Sequence, residues 1–63
     1  MKVITTDADG QSYEVGYEMI YDSELDHDVP MFWVETQHET VTMVMTKANM
    51  QQLVSAINLL IQG

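Results

Sequence analysis

The chain contains no cysteine and no arginine, only two lysines and a single proline among its 63 residues. Without cysteine there can be no disulfide and no thiolate zinc site to stabilise the fold. A domain of this length buries only about 60% of the surface its unfolded chain exposes, so idealised packing, self-association or a partner must supplement the core. The shortage of cations argues against direct binding of nucleic acid and against docking on anionic lipid. Long hydrophobic runs are missing too. The one extended apolar segment is broken by Gln51, Gln52, Ser55 and Asn58, and Met1 to Asp7 lacks the apolar stretch of a signal peptide. The expected location is the cytoplasm, or the host's cytoplasm if a phage carries the chain.

Acid is what the chain has in abundance. All ten Asp and Glu residues lie between Asp7 and Glu39, a stretch with no Lys or Arg, and the net charge is -8. A like-charged cluster of this density repels itself and opposes compaction, so it serves either solubility or a cationic partner.

The hydrophobic pattern predicts an α+β domain, ββββα, spanning residues 1–63. Residues 2–6 are β-prone, Asp7-Ala8-Asp9-Gly10 is a turn sequence, and Tyr13, Val15, Tyr17, Met19 and Tyr21 alternate with polar residues along a return strand. A tight turn at Asp9-Gly10 would pair Ile4 with Val15, Thr6 with Tyr13, and Thr5 with Glu14. The run 22–30 reads as an acidic loop that exits at Val29-Pro30. A second hairpin, 31–46, turning at His38-Glu39, would set Val34 against Met43 and Phe32 against Met45. The other face would then pair Glu35 with Thr42, Trp33 with Val44, and Met31 with Thr46. From Lys47 to Gln62, Met50, Leu53, Val54, Ile57, Leu60 and Ile61 recur at helical spacing, with Thr46 as N-cap and Gly63 beyond the last turn. The helix is expected to cover the sheet face built from Ile4, Tyr13, Val15, Tyr17, Phe32, Val34, Met43 and Met45.

The opposite face is the candidate interaction surface. Glu14, Glu18 and Glu35, with Asp22, Glu24, Asp26 and Asp28 from the loop, supply an anionic surface, and Trp33 offers an aromatic anchor for an arginine or an apolar pocket. Such a surface suits a protein that occupies a basic, nucleic-acid-binding site on another protein by imitating nucleic acid, a mode that fits phage or mobile-element anti-defence and host takeover. The alternative is a homodimeric structural or regulatory subunit in which Met31, Trp33 and Val44 form the interface and the charge maintains solubility. A calcium loop from Asp7 to Glu18 matches only part of the required ligand series and lacks flanking helices, so no metal or cofactor is expected. His27, His38 and Ser23 form no defensible nucleophile and base, and no enzymatic activity is expected. The six methionines fit an adaptable core.

Overall fold

The structure, a computed structural model, describes residues 1–63. Four antiparallel strands, β1 (Lys2–Thr6), β2 (Ser12–Asp22), β3 (His27–Glu35) and β4 (Thr40–Val44), lie in sequence order in one sheet, followed by a C-terminal helix, α1 (Lys47–Gln62). The α+β class and the ββββα order are those expected from the alternation and the helical spacing.

The turns set the registers, and two of them differ from expectation. Between β1 and β2 the loop is three residues, Ala8 to Gly10, with Asp7 and Gln11 as its closing pair and Gly10 at φ 77°. The carboxylate of Asp7 accepts the N–H groups of Asp9 and Gln11, both at 2.9 Å, which draws one more residue into the turn than the two expected. The extra residue slips the pairing by one. Val3 stands opposite Val15 and Thr5 opposite Tyr13, while Ile4 pairs with Glu14 and leaves the helix-covered face.

Between β3 and β4 the turn residues are Gln37 and His38, not His38 and Glu39. Thr36 and Glu39 close it, the Thr36 N–H donating to the Glu39 carbonyl, and the Thr36 hydroxyl accepts the N–H groups of both His38 and Glu39. Moving this turn by one residue shifts the register by two, so Phe32 faces Met43, Val34 faces Val41, Trp33 faces Thr42 and Met31 faces Val44. A shift of two keeps every side chain on its expected face. Met45 and Thr46 fall beyond the strand.

The largest departure is in 22–30. Instead of a long acidic loop, β2 runs to Asp22 and β3 starts at His27, with Asp22 paired to His27 and only 23–26 left in the turn. Charge does not prevent the pairing because β1 and β4 stop short of this region, so the side chains reach solvent. The Asp22 carboxylate fixes the turn by accepting the N–H groups of Glu24 (2.9 Å) and Leu25 (3.2 Å), and Asp26 takes a left-handed φ of 57°, which Asp tolerates. Pro30, expected to mark a loop exit, is within β3 at the point where its neighbour β4 has ended, and its carbonyl accepts the Met45 N–H.

α1 has the expected limits, and its N-terminus is capped reciprocally: the Thr46 hydroxyl accepts the Asn49 N–H while the Asn49 side chain accepts the Thr46 N–H. Its first half lies over the sheet face carrying Val15, Tyr17 and Phe32 across an open groove, with Met50 and Leu53 half-buried and no helix residue fully buried, so the expected cover over the whole face is not made and Ile4 and Met43 stay exposed. Burial is sparse. Phe32 is the one buried hydrophobic side chain, joined only by Gly16.

Candidate functional site

β2 and β3 are longer than their neighbours. The last pairs to β1 and β4 involve residues no further out than Tyr17 on β2 and Pro30 on β3, so 18–30 project as a two-stranded ribbon from one end of the sheet. At strand spacing the five residues Glu18 to Asp22 extend it by roughly 17 Å. Five carboxylates, Glu18, Asp22, Glu24, Asp26 and Asp28, lie on this ribbon with no Lys or Arg.

These acids are not equivalent. Asp22 is engaged in the turn, and Asp26 accepts a hydrogen bond from the Tyr21 hydroxyl. The Asp26 carboxylate, aided by partial burial, raises the Tyr21 phenol above its ordinary value. Glu18, Glu24 and Asp28 make no side-chain hydrogen bond or ion pair within the chain and point their charge outward. Beside them, Ile20, Leu25, Val29, Met31 and Val44 line an open apolar depression of about 540 Å³ with Asp22 and Glu24 at its rim. An acid-rimmed apolar depression matches both parts of a lysine or arginine side chain, the aliphatic stem and the charged head.

Glu14, Glu35 and Trp33 are elsewhere. Glu14 and Glu35 face each other across β2 and β3 at the opposite end of the sheet from the ribbon tip, near the turns carrying Asp7, Asp9 and Glu39. Trp33 pairs with Gly16, its indole lies where a side chain on Gly16 would be, and its Nε1–H donates to the Glu14 carboxylate at 2.8 Å. The same carboxylate meets the Lys2 ammonium at 3.6 Å. Trp33 and Glu14 are therefore engaged with each other, and Glu14 with the exposed Lys2 of β1, instead of standing free as an anchor and a binding charge. Met31 and Val44 are cross-strand neighbours, and Trp33, two residues along β3 on the same face, lies opposite Thr42 with its indole turned over Gly16. The isolated Gly16 in an otherwise alternating strand was the one sequence signal of this close approach.

The indole N–H is the largest influence and holds the Glu14 carboxyl below its ordinary value of 4.5; desolvation opposes it, and the Lys2 ammonium lowers the value further. A lowered folded-state pKa means that Glu14 stabilises the fold above the unfolded pKa and that this contribution disappears as pH falls through the folded value. Trp33 is the only tryptophan, so its fluorescence reports the link directly. An acid transition in emission is expected below about pH 4.5, absent from Glu14→Gln; a transition unchanged in that variant would show that the indole senses something else.

Asp7 and Glu18, the ends of the calcium-loop spacing, belong to opposite parts of the sheet, and Glu18 is seven residues along β2 from Gln11, roughly 24 Å. No three His, Asp or Glu side chains converge on a common point. His27 holds the Asp28 carbonyl through Nδ1 at 2.9 Å, and His38 is in the turn at the far end. No helix is long and apolar enough to cross a membrane. Comparison with protein-family models, curated proteins and solved structures gives no match.

Proposed function

We propose that this chain is a binding protein whose β2–β3 ribbon occupies a cationic, nucleic-acid-binding site on another protein. The observation that carries the reading is the projecting ribbon, with five carboxylates and no cation, set beside an acid-rimmed apolar depression. A groove built to neutralise phosphates gains from the same charge when carboxylates present it, and a narrow ribbon enters where a whole domain cannot. Glu18, Glu24 and Asp28 supply the available charge. Asp22 and Asp26 shape the tip, and Met31 with Val44 floors the depression. Occlusion of a host nucleic-acid-binding protein in the cytoplasm is the setting this mechanism suits.

The test uses a triple variant, Glu18→Gln, Glu24→Gln and Asp28→Asn, because these side chains make no bonds within the chain and their loss leaves the fold intact. Immobilised wild-type protein is exposed to nuclease-treated lysate and washed at rising salt. The expected result is retention of a nucleic-acid-binding protein that duplex DNA or RNA displaces and the triple variant binds at least tenfold more weakly, about 1.4 kcal/mol or more. Equal retention by the folded triple variant overturns the proposal.

A further inference from the structure

We infer that α1 is the core of a homodimer, its C-terminal half packing antiparallel against the same half of a second copy. The apolar stripe of α1 is covered along only part of its length: Met50 and Leu53 are half-buried, whereas Ile57 is 44%, Leu60 81% and Ile61 75% exposed. Val54, itself exposed, borders an open apolar groove of about 410 Å³ that continues onto the sheet through Val3, Val15, Tyr17 and Phe32.

The size of the deficit matches a second subunit. The chain exposes 5167 Å², against about 4,100 Å² for a compact monomer of this mass. The excess of about 1,000 Å² is shared between the projecting ribbon and the uncovered half of α1, and is of the order of the roughly 800 Å² that each partner contributes to a standard stable interface.

Charge selects the occupant. No acidic residue follows Glu39, and Lys47 is the only charge between Thr40 and Gly63, so the exposed stripe is free of charge on a molecule of net charge -8. A second copy meeting through this neutral face keeps the two acidic ribbons apart, whereas anionic lipid approaching the stripe meets the field of the whole molecule. Ile57 and Leu60 continue the three-and-four spacing of Met50 and Leu53 past the sheet, so the exposed part of the stripe presents the short seam by which two helices interlock. A twofold axis crossing α1 makes the contact self-complementary and closed. This interface differs from the Met31, Trp33 and Val44 patch, and it leaves the ribbon of each copy free, so the two proposals stand or fall separately.

The test is sedimentation equilibrium of the wild type, of Ile57→Glu/Leu60→Glu, and of a Lys47→Gln control. The wild type is expected to be a dimer at micromolar concentration, the control likewise, and the double variant at least 100-fold weaker in association. Because the double variant risks unfolding, a second measurement uses the absence of cysteine: Ile57→Cys should oxidise rapidly to a disulfide-linked dimer, and Ser23→Cys at the ribbon tip should not. A wild type that stays monomeric at millimolar concentration overturns the inference. So does a dimer that survives in a folded Ile57→Glu/Leu60→Glu protein, or a monomer whose helix instead binds neutral phosphatidylcholine vesicles.

Discussion

Replacing Phe32 with alanine is expected to leave the chain largely unfolded at room temperature, seen as loss of the folded circular dichroism and of a cooperative melt. Phe32 is the one buried hydrophobic side chain. It pairs with Tyr17 on one side and Met43 on the other, and borders the groove beneath Met50 and Val54. Truncating a buried Phe to Ala typically costs about 3–5 kcal/mol. A chain of 63 residues has about 3–9 kcal/mol of total stability, and one this poorly buried belongs toward the low end. The substitution therefore removes most or all of the margin. Phe32→Leu, which conserves volume better, should cost less than about 1.5 kcal/mol and keep the melt cooperative. A Phe32→Ala protein with near wild-type stability would mean that the sheet and helix are held together elsewhere.

The position of Phe32 in the core was legible before the structure, since its alternation with Trp33 and Val34 survives any register error of two residues. Val15 and Tyr17 share that face and are half-buried, whereas Met43, expected in the core beside them, is 42% exposed because the helix does not reach over it. Helix α1 was legible to its last residue because spacing, N-cap and terminal glycine all point to the same limits. What failed was turn chemistry. The Asp7 carboxylate and the Thr36 hydroxyl each capture backbone N–H groups two or more residues ahead, and such side-chain turns compete with the tighter turn that composition favours. At Thr36 the consequence was harmless, a shift of two. At Asp7 it was a shift of one, which exchanged Val3 and Ile4 between faces.

The acidic ribbon was hidden for a different reason. Its charges read as a loop because a strand within a sheet seldom tolerates them, but two strands without outer neighbours have water on every side. Pro30, too, signalled an exit, and it is accommodated because β4 ends beside it. The acidic residues of the candidate site were thus visible by type, while their separation into two ends of the sheet was not. The division depends on how β2 pairs with β3, and no short turn sequence between those strands announced that pairing.

The β2–β3 pairing also carries the second large effect. Gly16→Ala is expected to destabilise the fold by about 2–4 kcal/mol, combining overpacking with loss of a partly buried hydrogen bond. Gly16 does not adopt a positive φ, so its backbone does not require glycine. In a strand interior glycine is in fact worse than alanine by roughly 0.5–1 kcal/mol. The requirement is one of space. A Cβ on Gly16 would overlap Cζ2 and Cε2 of Trp33, which lies across the strand with its N–H on Glu14. The indole must move, and moving it releases Glu14 from Trp33. Removing the indole removes the conflict, so adding Gly16→Ala to Trp33→Ala should cost little or even stabilise, and the two substitutions should be strongly non-additive in a double-mutant cycle. Urea melts of the four proteins decide it. Additive losses would show that Gly16 serves the backbone; a coupling of more than about 1.5 kcal/mol, accompanied by a red-shifted Trp33 emission in Gly16→Ala, would show that glycine is present to seat the indole of β3 on β2.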